Sequence, residues 1–520
     1  MSNSRAFARL SQILFLVLLA CALAFGILLS VPLRDRHGSL LDSAKRSQVV
    51  VGDYNTPVTG VPSVTMRGDV DSMYAIIKTG SSVLWKRLPI HLVTTFRKVK
   101  HFQVYSDAPT KIAGIQVVDA LHNVSEFVKA SNDFEVYRIA NRWQGHHASI
   151  PEESQHGRVS ITKSARNETI HAPRSIPIAT EGGSGVWWNL DKYKNLPMLA
   201  HAWRNKPEGI KWFVFMDADT YILWDHLSAW LNRLDHTKPL YMGSVVGEVF
   251  EKFAHGGSGV VLSYAAMEAT FGKHFDFEFM YDMETMEDCC GDHLLARALL
   301  DHGIAISDEP ADAYPYAKYK FQGEPQWSVD INYENWCSPI MSFHHVSPSD
   351  IEEIFEMEQE YLLADLDIHH YDVFERFMKF YIEESKDDWN NYSGERVYTS
   401  IPASEYEPGY GGPDVDAPIY ANVDSCHEAC VFWKDCIQYR YTHDYCGLSS
   451  IIKLGQGISI DPEVRRARQQ QIRERRISQG LKADNFAELP LDNEARRDTW
   501  TSGWIIHRVE TFLAESPRCH

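Results

Sequence analysis

The chain has 520 residues, 44% of them hydrophobic and 23% charged, enough apolar material for a sizeable core and length for roughly three domains. Glycine (31) and proline (23) are at ordinary levels, which excludes a collagen-like or low-complexity chain. Lys+Arg 51 against Asp+Glu 70 leaves a net charge of -19; such a surface repels phosphate backbones, so nucleic acid is not expected as a partner.

In chain order, the first element is an uncharged apolar run, Ile13 to Val31. At 1.5 Å per residue it spans about 28 Å, close to the hydrocarbon thickness of a bilayer. Arg5 and Arg9 make the leading tail slightly more basic than the segment after the run, which favours residues 1–12 in the cytosol and the remainder in a lumen. A cleaved signal peptide is the competing reading, but signal cores are usually shorter. The sequons at Asn123, Asn167 and Asn391 agree with lumenal exposure and glycosylation. Eight of the nine cysteines lie beyond the run, as suits pairing in an oxidising space. The chain thus reads as a membrane-tethered protein of the secretory pathway.

Residues 32–68 are polar and turn-rich and read as a stem. Met73–Lys78 (MYAIIK), His101–Ser106 (HFQVYS) and Lys211–Met216 (KWFVFM) are short apolar runs that predict strands covered on both faces. Helical patterns lie between and after them, at Leu88–Val99, Lys192–Trp203 and Leu223–Leu234. Alternation of this kind predicts an α/β domain with a doubly wound, mostly parallel sheet over residues 69–385. A Gly-, Pro-, Tyr- and acid-rich stretch predicts a linker at 386–420. Residues 421–520 form a small Cys-containing module with five cysteines, and its Arg-rich stretch, Arg465 to Arg476, reads as a solvated helix.

The informative segment is Trp212-Phe-Val-Phe-Met-Asp217-Ala-Asp219. Other Asp-x-Asp pairs, Asp69/Asp71, Asp365/Asp367 and Asp414/Asp416, read as surface or turn acids. Asp217 and Asp219 instead come directly after a buried strand, where open α/β sheets collect ligands. Two carboxylates there can hold a hard divalent cation, which would neutralise charge on a departing nucleoside diphosphate; solvated acids before the next helix are the bland alternative. Further on, His255-Gly256-Gly257-Ser258-Gly259 is a tight substrate-side turn that lacks the lysine of a P-loop. Glu287-Asp288-Cys289-Cys290-Gly291-Asp292 is an acidic turn opening a helix, and Ser342-Phe-His344-His345 places two histidines after an apolar stretch.

Taken in order, KWFVFMDADTYI, HGGSGVVLS, the acidic turn and Ser-Phe-His-His-Val resemble glycosyltransferase family 31, nearest the fringe and core 1 β1,3-galactosyltransferase group and its fungal-type members. Lys78-Thr79-Gly80, Thr94-Thr95, Tyr105-Ser106-Asp107 and Trp188-Asn-Leu-Asp191-Lys192-Tyr-Lys194 match that group's earlier segments, so the resemblance covers about residues 70–360. It implies a GT-A fold (Rossmann-like), Mn²⁺ (or Mg²⁺), a UDP-sugar donor, inversion at the anomeric carbon, and a Golgi (or ER) single-pass type II membrane protein. It further implies Asp219 and Asp217 as metal ligands, with His344, or else His345, as the histidine ligand. Thr79, Asp107, Lys192 and Asp217 fall on the donor side. For the general base it implies Asp292, with Asp288 as the alternative in another register; Gly291 and Ala296 depart from the family pattern there. Cys289 and Cys290 are expected to pair with distant segments such as Cys337. The spacing Cys426-x3-Cys430-x5-Cys436-x9-Cys446 weakly resembles a PAN/apple-type module, its pairing open among three arrangements, with Cys519 able to reach the catalytic domain.

The expected function is therefore transfer of a hexose, galactose by analogy, to a hydroxyl of a glycan or glycoprotein, with a β1,3 linkage. The alternatives are a non-catalytic lumenal glycan-binding or scaffold protein on the same fold and, more remotely, a metal-dependent hydrolase. Homo-oligomerisation is left open.

Overall fold

The computed structural model describes residues 68–138, 188–247, 252–273, 277–307, 320–399, 419–442, 445–457 and 500–519. The expected anchor, most of the stem, Asn167, Asp414/Asp416 and the Arg465 to Arg476 stretch lie outside them. Among the described residues no helix is long and apolar enough to cross a membrane.

The strands of the first part are β1 (Met73–Lys78), β2 (His101–Ser106), β3 (Thr110–Ile112), β4 (Ile115–Asp119), β5 (Trp212–Asp217), β6 (Tyr221–Ile222), β7 (Tyr241–Gly243), β8 (Val245–Val246), β9 (Phe253–Ala254), β10 (Val260–Ser263), β11 (Lys320–Phe321) and β12 (Ile340–Phe343). Seven form one sheet in the order β3-β4-β2-β1-β5-β10-β7. The centre, β4-β2-β1-β5, is parallel, while β3 runs antiparallel at one edge and, at the other, β10 runs antiparallel between β5 and β7. The domain is thus α/β with a mixed, parallel-rich sheet.

Strand β1 shows why an unbroken apolar run is needed here. All six of its residues are buried. Successive side chains point to opposite faces, so Tyr74 and Ile76 join a core with Phe213, Phe215, Leu196 and Leu294. Met73, Ala75 and Ile77 join the other, with Val214, Met216, Leu88 and Trp224. Helices Asn195–Arg204 and Gly291–Asp301 cover the first face, and Leu84–Val93 and Trp224–Leu231 the second.

Two helices differ from expectation in extent. The pattern read at Leu88–Val99 is a helix only over Leu84–Val93, because the Thr94 backbone leaves the helical region (ψ -87°) and Thr95–Arg97 tightens into a 3-10 turn. The pattern read at Lys192–Trp203 likewise divides into a 3-10 turn, Trp188–Tyr193, and the helix Asn195–Arg204.

The C-terminal strands are β13 (Lys386–Asp387), β14 (Trp389–Asn390), β15 (Arg396–Thr399), β16 (Gln438–Thr442), β17 (Tyr445–Ser449), β18 (Gln456–Gly457) and β19 (Thr501–Trp504). Five build an antiparallel sheet, β13-β19-β16-β17-β15, and β14 pairs β18. This sheet takes in residues 386–399, so the expected linker begins with structured chain. Apolar side chains of the C-terminal part, Ile437, Ile452, Trp504 and Phe512, share a core with Leu223, Ile331, Trp336 and Ile340 of the first part. A fully buried side chain of this kind contributes roughly 1.5–3 kcal/mol, whereas a part-exposed pair such as Lys453–Asp330 (2.7 Å) contributes about 0–1. Apolar packing, with Cys337–Cys519 (Cα–Cα 5.1 Å), therefore does most to hold the module to the domain.

The cysteines correct one expectation. Cys289 and Cys290 pair with each other rather than with distant segments, because Cys337, the partner proposed for them, meets Cys519. Within the module the pairs are Cys426–Cys446 and Cys430–Cys436.

Candidate active site

The site is built at the carboxyl ends of β2, β1 and β5. Their register sets Lys78 beside Tyr105 on one side and Asp217 on the other. The next segments of each strand, Thr79 onward, Ser106-Asp107 and Ala218-Asp219, therefore emerge together. In parallel sheets this edge is where ligands bind.

On the β1–β2 side a file of charges alternates in sign, with Lys78, Lys194 and Asp107 buried and Asp191 and Asp217 part-exposed. Lys194 Nζ lies 3.1 Å from Asp107 and 3.5 Å from Asp191, and Lys78 Nζ reaches Asp191 at 2.5 Å and Asp217 at 3.3 Å. Burial opposes the charge of Lys78, but Asp191 and Asp217 outweigh it and keep the ammonium firmly protonated. Asp217 is pushed up to about 6 by burial, against the pull of Lys78 and with the like charges of Asp191 and Asp219 adding to the rise. Asp107 also accepts from Ser81 N (2.9 Å), and Lys194 donates to the Thr79 carbonyl (3.1 Å). The hydroxyls of Thr79, Ser81 and Ser106 are buried with no hydrogen-bond partner among the described residues. Unpartnered buried hydroxyls are costly unless a ligand completes them.

On the β5 side the structure brings Asp219, His344 and His345 together, with ligand atoms within 4.8 Å of one another. Asp219 Oδ1 is 3.7 Å from His344 Nε2, and Oδ2 is 3.7 Å from His345 Nδ1. Both histidines sought as alternatives thus face the same carboxylate. Adjacent residues normally point apart; here His345 adopts a left-handed backbone (φ 56°) and its ring stacks on that of His344 at 3.8 Å. Burial pushes His344 down to about 3, so its imidazole stays neutral and available as a ligand. Burial acts to raise Asp219, but the neighbouring His345, Arg87 and His344 outweigh it and hold the carboxylate well below its usual range. Arg87 reaches Asp219 Oδ2 at 3.0 Å.

Several segments fix this group. The Val346 amide donates to the Asp219 carbonyl (3.1 Å), and β12 pairs with β6, which lies just after Asp219 in the chain. Thr220 Oγ1 donates to the Gly257 carbonyl (2.6 Å), and Ser342 Oγ to that of Ser258 (2.6 Å). Gly257 is required by space: a Cβ there would lie 2.1 Å from the His344 ring. Beneath the carboxylate loop, His91 Nε2 bonds the Ala218 carbonyl at 2.9 Å and its Nδ1 meets Thr95 Oγ1 at 2.9 Å.

The donor set of one carboxylate and two imidazoles fits a divalent transition ion, and His344 Nδ1 is buried with no hydrogen-bond partner among the described residues. Imidazole suits Mn²⁺ better than Mg²⁺, which prefers an all-oxygen shell. Asp217 stands apart from this cluster, its carboxylate turned to Lys78.

The acidic turn joins the site through glycine. Gly256 N donates to Asp292 Oδ2 (3.0 Å), and His293 N to Oδ1 (3.0 Å). Asp288, the alternative base, is occupied elsewhere: His293 Nδ1 contacts it at 2.8 and 2.9 Å and Arg297 at 3.4 Å. Gly291 departs from the family pattern for a packing reason, since a Cβ there would meet the Lys192 carbonyl at 2.8 Å.

Two expected site residues are corrected. The Lys192 ammonium, expected on the donor side, donates to the Met286 and Asp288 carbonyls (3.0 and 3.1 Å) and braces the acidic turn. Asn391 is fully buried, its amide donating to the Tyr439 carbonyl (3.0 Å) and its oxygen accepting from Ser393, so no glycan can be attached to it in the folded protein. Asn123 is exposed. Lys78, Arg87, His91, Asp191 and Lys194 were not singled out from the sequence as functional. The spacing of Arg87 and His91, four apart on one helix face, was the available signal.

No protein-family model matches this chain.

Proposed function

We propose that the protein is an inverting, metal-dependent glycosyltransferase of GT-A fold that moves a hexose from a UDP-sugar to a hydroxyl of a glycan or glycoprotein. The observation that carries this reading is the meeting of three separate segments around one turn. Gly256 binds Asp292, Gly257 makes room for His344, and His344 faces Asp219. An acid, a metal-ligand pair and a polar pocket at the strand ends are the parts such a transfer needs.

In this reading Asp219, His344 and His345 hold the Mn²⁺, which neutralises charge gathering on the departing diphosphate. The unpartnered hydroxyls of Thr79, Ser81 and Ser106, with Asp107, receive the nucleoside. Asp292 takes the proton from the acceptor hydroxyl as that oxygen attacks the anomeric carbon, and the two amides on its carboxylate hold it in place for that step. Galactose and a β1,3 linkage are favoured by resemblance to the nearest group, as are the Golgi-type membrane tether and lumenal orientation.

Calorimetric titration of the full chain with UDP, with and without Mn²⁺, tests the reading. Binding should require Mn²⁺ and vanish in Asp219→Ala and in His344→Ala. Asp292→Asn should keep UDP affinity while transfer falls by about 10²–10⁴. Folded protein that ignores UDP in both conditions would overturn the donor site.

A further inference from the structure

His255 is used by neither the metal group nor the base, yet it adjoins both. Its backbone amide is fixed on the Ser244 carbonyl (2.8 Å), at the end of the β8–β9 hairpin. Its Nδ1 is held by Ser258 Oγ at 2.7 Å, and Ser258 is itself fully buried. The ring stands edge-on to that of His344, with centroids 5.3 Å apart. The next residue, Gly256, carries the amide that binds Asp292. The ring is therefore held at Nδ1, half-buried, and set beside the His344 imidazole, one residue from the amide that binds the acid. Its second nitrogen, Nε2, makes no hydrogen bond among the described residues.

In the glycosyltransferase reading, on which this inference rests, the diphosphate is held at the metal group and the acceptor hydroxyl at Asp292. The hexose being transferred must lie between the two, and His255 adjoins both, its ring beside His344 and its chain neighbour Gly256 on Asp292. We propose that His255 contacts this hexose, its Nε2 hydrogen-bonding one ring hydroxyl and so discriminating between UDP-hexoses that differ at that carbon. Ring hydroxyls both donate and accept, so either imidazole tautomer can make the bond. A site that hydrogen-bonds a particular hydroxyl rejects an analogue that lacks it or points it elsewhere.

Two variants separate this role from a structural one. His255→Asn retains an amide near Nδ1 for Ser258 but has nothing at Nε2, whereas His255→Gln extends an amide toward the Nε2 position. With Mn²⁺ present, UDP, UDP-galactose, UDP-glucose and UDP-N-acetylglucosamine are titrated calorimetrically into the full chain and both variants. The expected result is unchanged UDP affinity in all three proteins. In His255→Asn the preferred UDP-hexose should lose about 3–10-fold in affinity, the range of one neutral hydrogen bond, and the ranking of sugars should flatten. His255→Gln should recover part of that preference. A ranking unmoved in His255→Asn, or a loss shared equally by UDP, overturns the role of His255 while leaving the donor site standing. Wild-type protein that binds no UDP removes the donor site and this inference with it.

Discussion

The two sides of the cleft treat charge in opposite ways. On the β1–β2 side, carboxylates and ammonium groups meet within 3.5 Å, so the protein supplies its own counter-ions. On the β5 side Asp219 faces two imidazoles at 3.7 Å, beyond hydrogen-bond range, and the buried imidazole of His344 is held neutral. The first arrangement is a finished frame. The second has only Arg87 as a fixed counter-charge, and the proposed cation would complete it. The difference explains how one strand end can be both rigid and receptive: a neutralised scaffold fixes the backbone from which an unfinished ligand set projects.

That contrast is open to attack from either side, and the frame should give the largest response. Lys78→Met removes the ammonium shared by Asp191 and Asp217 and leaves two carboxylates facing each other with less compensation. Breaking a fully buried pair costs about 3–5 kcal/mol; with Asp191 and Asp217 part-exposed and screened by water, about 1–3 kcal/mol is expected here, to be read from urea unfolding of the full chain. A loss below about 1 kcal/mol, the range of an exposed pair, would show that the network is not the frame.

The ligand side should respond in binding before stability. Gly257→Ala places a methyl 2.1 Å from His344, so the ring must move. Displacing a residue that orients a metal ligand typically costs about 10–100-fold in metal affinity. Gly256→Ala is the control, because its Cβ would meet Asp292 at an ordinary 3.4 Å. Equal Mn²⁺ affinity in the two variants would break the link between Gly257 and the metal group.

The pH dependence sharpens the same point. In the folded chain His344 titrates at about 3, whereas an unfolded histidine titrates near 6.5. Below pH 6.5 the unfolded state binds the extra proton, so stability is full above that pH and is lost progressively as pH falls toward 3. Between pH 6.5 and 5 the loss from this group is about 2 kcal/mol. His344→Asn should flatten thermal unfolding across that interval, after allowance for a constant offset from the lost packing. An unchanged slope would mean that His344 is hydrated rather than buried.

How much of the molecule is legible in its sequence depends on which forces act locally. Strands β1 and β2 are readable to the residue and β5 to within one, because a strand buried on both faces leaves an unbroken apolar run. Asp219 and His344 stand out because each comes just after such a strand. The roles of Lys78, Asp191 and Lys194 are not visible: the Lys78–Asp191 pair spans more than a hundred residues, and a lysine at the end of a strand ordinarily reads as solvated. Asn391 misleads for a related reason, since a sequon records three residue types and says nothing of the sheet that buries them. The convergence of His344 and His345 depends on one left-handed backbone angle, which no side-chain pattern announces.

The smallest expected effect tests whether the ligand side is unfinished or merely loose. Arg87 is part-exposed and pairs with Asp219 Oδ2 at 3.0 Å, on the oxygen that His345 also approaches. If a cation is what this group awaits, the guanidinium is its placeholder, and the two compete for one carboxylate oxygen. Arg87→Ala should then change stability by no more than about 1 kcal/mol, the worth of a part-exposed pair. In the absence of nucleotide it should tighten Mn²⁺ binding, by up to about 5-fold if the whole of that pair energy is released. With UDP present the gain should shrink or reverse, because a planar guanidinium freed from Asp219 can turn to the diphosphate. Calorimetric Mn²⁺ titrations of the variant, with and without UDP, read both effects. Weaker Mn²⁺ binding in nucleotide-free Arg87→Ala would instead make the arginine part of the frame that positions Asp219, and the division between the two sides of the cleft would then lie on the other side of that carboxylate.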